Sequence, residues 1–190
     1  VGSCLRAGLG DEGMRVIKEF SQVAPSDKRP SLYFYNFCLR GYRGLKSPTS
    51  CQAIMELIWK EDQIDPDYES YSELICANLE ARRFKPALVA LNQMTKAGFQ
   101  PQAALSNVYI VCLASSKALQ HHDLAWAMYS SQTAQGVRIE GHTHATMFDS
   151  CVAHARITRT LEVGFNMEAA RATMGTKRLE QLKRARAIIV

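Results

Sequence analysis

The residues in this chain best suited to chemistry are its five histidines and six cysteines. His142 and His144 stand two apart, and His121 and His122 are adjacent. Two histidines on one side of a strand would begin a metal site. This pair falls where a helix should start, and Glu140 is the one carboxylate near enough to add a ligand. A zinc shell needs three or four clustered ligands, so these histidines read as surface or interface residues. His154 lies among apolar neighbours and reads as a core residue. Cys4, Cys38, Cys51, Cys76, Cys112 and Cys151 are widely spaced and form no CxxC pair. They read as free, mostly buried thiols of a reducing compartment. Asp65-Pro66-Asp67 looks like a turn, not a pair of carboxylates with displaced pKa values. No GxSxG, HExxH or glycine-rich phosphate loop occurs. The expectation is a protein that is not an enzyme and holds no metal and no cofactor.

Charge points elsewhere. Net charge is +5 and the pI about 8.9, mildly basic. The segment Thr176 to Val190 reads as a helix with Lys177, Arg178, Lys183, Arg184 and Arg186 against a single acid, Glu180. Two readings stay open: a track for phosphates or a solvated helix face. Arg40, Arg43 and Lys46 form a second cluster with the same two readings.

The elements that carry these residues are helical and repeated. The apolar fraction is 47% and the mean hydropathy −0.16, ordinary for a globular chain. No run of about 18 or more apolar residues suggests a membrane span. Leu74, Ile75, Cys76 and Leu79 make one helical face, and Leu88, Leu91 and Met94 make a facing stripe. No alternating strand pattern appears. Tyr35-Asn36, Tyr71-Ser72, Ser106-Asn107 and His144-Ala145 open successive units, 36, 35 and 38 residues apart. Pro30, Pro66 and Pro101 precede three of these openings by five residues, and Ile139 takes that place before the fourth. Gly98 and Gly136 sit where helices need a left-handed end. Small residues Gly13, Ala87, Ala125 and Thr160 mark close approach of paired helices. Gly44–Ser50 and Ser115–His122 read as exposed loops. Two-helix units of this period bury a continuous core by stacking. The fold class expected is all-α, a right-handed superhelical α-solenoid of helix-turn-helix repeats. Val1 to Arg6 lacks a starting Met and a signal-peptide profile, so the chain reads as a piece of a longer protein.

The unit from Tyr68 to Gln102 resembles a pentatricopeptide repeat. It has a Tyr-x-x-Leu-Ile opening, a basic turn at Arg82-Arg83, Ala-Leu-x-x-Leu-x-x-Met, then Lys-Ala-Gly-Phe-x-Pro. Arg6 to Phe20 resembles the middle of the motif, and Ala125 to Ile139 its second half. The resemblance runs over roughly residues 6 to 172. It divides the chain into a partial unit at 6–30, units at 33–66, 68–102, 103–139 and 141–172, and a basic C-terminal helix at 173–190. The tetratricopeptide repeat is a rival. Its Trp, Gly and Tyr belong to the first helix, whereas Trp59 and Trp126 fall in second helices here.

The resemblance implies a protein that binds single-stranded RNA, one base per repeat, in a mitochondrion or alternatively a chloroplast. By residue, it implies that Asn36 with Asp67, a pair resembling one the family uses for uracil, reads a base, with Tyr33 as the wedge. Ser72 with Gln102, and Asn107 with Glu140, take the same places in later units. Glu69 and Ala104 stand at the wedge position there, and Ala145 has no polar group to offer. For Ser72 and Asn107 the alternative is a polar group with no base partner. The function expected is RNA binding in organelle gene expression and translation, as a subunit of a ribonucleoprotein such as a mitochondrial ribosome. Partners would be single-stranded RNA or rRNA and other protein subunits, with no membrane. A purely protein–protein scaffold on the same fold is the alternative.

Overall fold

The computed structural model describes residues 1–23, 30–61, 63–170 and 172–189. It is all-α: eleven helices and no strand occur among the described residues. They are α1 (Gly2–Arg6), α2 (Gly10–Val23), α3 (Leu32–Gly44), α4 (Pro48–Glu56, extended by a π-helical turn Leu57–Glu61), α5 (Tyr68–Glu80), α6 (Phe84–Lys96), α7 (Ala103–Ala114), α8 (Leu119–Ala134), α9 (Gly141–Ala153), α10 (Ile157–Ala169) and α11 (Thr176–Ile189). Two compact units result, Val1–Pro101 and Gln102–Val190.

In the first unit α1 packs on α2, α3 on α4 and α5 on α6, and α3 also packs on α5. Tyr35, Cys38, Leu39 and Tyr42 of α3 and Cys51, Ile54 and Met55 of α4 are fully buried. Gly13 of α2 has to be small: an added Cβ would stand 2.7 Å from the Tyr42 Oη, which donates to the Gly10 carbonyl at 2.6 Å. The stripe of α6 facing the core is Ala87, Ala90 and Met94. Of the stripe read from the sequence Met94 faces the core, Leu91 is half-buried and Leu88 is exposed, because the small residues Ala87 and Ala90 take the close approach. In the second unit α7 packs on α8 and α9, α9 on α10, and α11 on α10 and α9. Leu182 and Ala185 seat α11 in that unit, so the basic helix is an integral part of it.

The start signals act as cap chemistry predicts. Ser31 and Asp67 are N-caps, accepting from the Phe34 and Ser70 N–H groups. Pro30, Pro66 and Pro101 each precede the N-cap directly, and Ile139 fills that place before Glu140, 9% exposed. Gly98 and Gly136 adopt φ of +89° and +67°. The two expected loops are shorter than the sequence suggested, because α4 begins at Pro48 and α8 at Leu119. Proline suits a first helical position, and α8 takes in Leu119 to His122, leaving Ser115-Ser116-Lys117 as the turn.

The turns inside three hairpins place a non-glycine residue in the left-handed region: Lys46, Arg82 and Ala155, at φ +54°, +57° and +53°. The next N–H closes each turn back to the helix, as Arg156 does on the Cys151 carbonyl at 2.9 Å. A Cβ is unfavourable there by about 1 kcal/mol. Ala155→Gly is therefore expected to raise stability by roughly 0.5–1 kcal/mol. The denaturant midpoint should increase with the slope unchanged.

Candidate nucleic-acid interface

The N-caps set a common register. Counting from Ser31, Asp67, Gln102 and Glu140, the fifth residue onward is Asn36, Ser72, Asn107 and Ala145. These are the positions the sequence nominated, and the structure treats them differently.

Asn36 and Asp67 are brought together, 31 residues apart in sequence. The Asn36 Nδ2 donates to both Asp67 carboxylate oxygens at 3.1 and 3.2 Å. A third member was missed from sequence: the Ser70 Oγ lies 2.6 Å from Asn36 Oδ1, its acceptor, and 3.0 Å from Asp67 Oδ1. Ser70 is signalled by its place three residues after an Asp N-cap. Asn36 is only 4% exposed. Burial pushes the Asp67 carboxyl up, but the Ser70 N–H and the Asn36 and Ser70 side chains outweigh it and hold the carboxyl below its usual range. The group is a closed triangle, with Tyr33 one turn earlier on α3 and 82% exposed.

Asn107 does something else. Its Nδ2 donates to the Ala103 carbonyl at 2.8 Å and the Arg138 carbonyl at 3.4 Å, and its Oδ1 accepts from the Glu140 N–H at 3.2 Å. At 3% exposure its amide is spent on fastening the start of α9. It clamps backbone; the Glu140 side chain faces His142 Nδ1 at 3.2 Å. Ser72 is half-buried, with no hydrogen-bond partner for its Oγ among the described residues. Gln102 is the N-cap of α7.

The basic clusters are partly neutralised. Arg40 bonds Glu69, and Arg43 is held by Glu80 at 2.6 and 2.8 Å and by Glu73 at 3.2 Å. The Arg40–Arg43 cluster is thus an ion-pair network joining α3 to α5, not a free phosphate track. On α11, Arg178 is bidentate to Asp149 at 2.6 and 2.8 Å, and Arg186 pairs with Glu168. Lys177, Lys183 and Arg184 are exposed and make no ion pair with a described residue.

Two of the histidines read as surface or interface residues are buried. His144 is 4% exposed, its Nδ1 2.8 Å from the Tyr129 Oη. His122 is fully buried, its Nδ1 2.9 Å from the Ser150 Oγ and its ring 4.8 Å from that of half-buried His154. Among the described residues no three His, Cys, Asp or Glu side chains cluster as metal ligands. Burial pushes the Cys38, Cys51 and Cys151 thiols up to about 12, so they remain protonated and inert.

No family model matches the sequence, and no curated protein matches it. Solved structures do. The pentatricopeptide repeat protein PPR10 from maize aligns over 96% of this chain and 24% of its own, at 17% identity and a TM-score of 0.69. The PPR domain of protein-only RNase P 1 (PRORP1) from Arabidopsis thaliana, solved in complex with tRNA, aligns over 98% of this chain and 94% of its own, at 13% identity and a TM-score of 0.76. The fold is that of the pentatricopeptide-repeat α-solenoids. The chain spans about a quarter of the length of the maize protein. The first helices of the hairpins are α1, α3, α5, α7 and α9. Tyr33, Asn36 and Arg40 lie on one such helix, and Glu69 and Ser72 on the next.

Proposed function

We propose that this chain is a non-catalytic module that binds single-stranded RNA. It would act in organelle gene expression, as a subunit of a larger ribonucleoprotein such as a mitochondrial ribosome, with the chloroplast as the alternative compartment. The observation that carries the RNA reading is the match to a pentatricopeptide domain crystallised with tRNA, which runs over nearly the full length of both chains. The Asn36–Asp67 pair beside exposed Tyr33 and the unpaired cations of α11 supply contacts suited to it. The organellar setting comes from the resemblance of the repeat motif.

A scaffold for other proteins is the second reading. It is favoured by the neutralised Arg40–Arg43 network and by the engaged amide of Asn107. Titrating a labelled uracil oligoribonucleotide at rising salt separates the two. Contact by Lys177, Lys183 and Arg184 should give a log–log salt slope of about −2, flattened in a K177Q/K183Q/R184Q variant. A chain that ignores the oligomer at low salt yet retains partner proteins from an organelle extract overturns the RNA reading.

A further inference from the structure

We infer that Phe37, leaning over a cleft between α1 and α3, is a second stacking surface for an unpaired base, continuous with Tyr33 and edged by Arg6. The inference rests on the RNA reading and gives it a mode of contact: sequence-tolerant stacking, not reading of base edges.

Large exposed aromatics are scarce on this chain. Phe20, Tyr33, Phe37 and Phe165 are the four Phe or Tyr side chains among the described residues standing out as exposed, and two of them lie four residues apart on α3. That spacing puts both on one face of the helix, one turn apart. Tyr33 is 82% and Phe37 44% exposed. The α3 share of the core is Tyr35, Cys38, Leu39 and Tyr42. Base-edge reading from α3 is restricted, because Asn36 between the two rings is turned inward and bonded to Asp67 and Ser70.

The cleft beside Phe37 has a volume of about 370 Å3 and is lined by Gly2, Leu5, Arg6, Phe37, Arg40 and Leu45 with two further glycines. Its size falls at the lower end of small-ligand sites, about 300–1,000 Å3. One edge of the ring rests against α1: a Cβ on Gly2 would lie 3.4 Å from Phe37 Cζ. Arg6 is exposed and makes no ion pair among the described residues; its Nη2 reaches only the Ser3 Oγ, at 3.5 Å. Arg40, on the other side, is bound to Glu69. An apolar slot with one unpaired guanidinium suits an uncharged, planar group attached to an anion. A nucleotide of single-stranded RNA has that form, its base on the ring and its phosphate on Arg6. Every base has a π-face, so stacking tolerates any sequence.

The test uses the whole chain with uracil and adenine oligoribonucleotides and an abasic ribose-phosphate oligomer. Phe37→Ala and Tyr33→Ala should each weaken binding to both base-bearing oligomers about tenfold. Neither should change the salt slope or binding of the abasic oligomer. Arg6→Gln should flatten the slope by about 0.7. Phe37→Trp should retain affinity, and the emission of the introduced indole, above the Trp59 and Trp126 background, should be quenched on adding RNA. Thermal melts of each variant confirm folding. If the unsubstituted chain binds RNA but F37A binds equally and the emission of the Phe37→Trp variant is unmoved, the stacking inference falls while the RNA reading stands. If F37A leaves RNA binding intact and releases a co-purifying protein, the surface belongs to a protein partner and the inference is overturned. Absence of RNA binding by the unsubstituted chain overturns both.

Discussion

Lowering the pH from about 7 to about 4 is expected to cost the second unit roughly 3 kcal/mol through His122 alone, and His122→Ala should abolish most of that acid sensitivity. The imidazole is fully buried. Burial is the largest cause that lowers its pKa from 6.5 to about 4, followed by His154 and Arg159; Asp123 opposes and Arg156 adds to the lowering. Every element packed there contributes: Ser150 from α9, His154 at its end, Arg156 and Arg159 around the start of α10. In the unfolded chain His122 takes up a proton near 6.5, and in the folded chain only near 4. Between those values the unfolded state binds more protons, so stability rises with pH and falls on acidification. A shift of about 2.5 units corresponds to about 3 kcal/mol. His144, also lowered by burial, adds in the same direction. The carboxylates of Asp67 and Asp123 are lowered instead, so their stabilisation starts to go near about pH 5 and is lost mainly below about 4, overlapping only the acid end of the His122 window. Urea midpoints measured across this range check the prediction. Parallel pH profiles for the unsubstituted chain and His122→Ala would sink it.

Why this histidine escaped the sequence is a matter of register. The twentieth residue after each N-cap is Cys51, Ala87, His122 and Thr160, all buried. Three are small or compact, and the fourth is an imidazole. Local composition hid the pattern: Ser115 to His122 is polar, so it read as a loop, and Ala125 one turn later took the small-residue role. Ala125 is buried too, but it belongs to the next turn of the same stripe, with Ala90 and Val163. The helical fold was legible because proline, cap and apolar spacing recur with one period. Site chemistry was legible only where the resemblance named pairs. Which acid meets Arg43, and that Asn107 also clamps the Arg138 carbonyl and the Glu140 N–H, depends on contacts 30 or more residues apart. No local pattern encodes those, and one amide serves a base or a carbonyl equally well.

The two asparagines of the register therefore make a sharp comparison, and Asp67→Ala should be among the most damaging polar substitutions in the first unit. It removes the N-cap of α5, worth about 1 kcal/mol. It also strips the Asn36 amide of its acceptor in a place where water barely reaches. A buried donor left unpaired costs about 1–3 kcal/mol, so the sum is roughly 2–4 kcal/mol. Asp67→Asn keeps an oxygen for the Ser70 N–H and for Asn36 Nδ2 but sets its own amide nitrogen where Oδ2 stood, 3.2 Å from the Asn36 Nδ2, so that two donors face each other. It should cost about 1–2 kcal/mol, less than Asp67→Ala. Asn36→Ala leaves Ser70 free to donate fully to Asp67, so it should cost less than Asp67→Ala. Because the three groups share partners, the Asn36→Ala/Asp67→Ala cycle should show a coupling of about 1 kcal/mol or more. The closed triangle also bears on RNA. If Asn36 has to leave Asp67 to read a base edge, binding must offset the bonds it breaks, and Asp67→Asn should relax base preference more than it lowers stability. If Asn36 keeps its native partners in the complex, Asp67→Asn leaves affinities for uracil and adenine oligomers in their original ratio, and the triangle is a strut that sets where Tyr33 stands. Denaturant unfolding and paired binding curves on the same proteins decide between these, and additive energies in the cycle would refute the triangle itself.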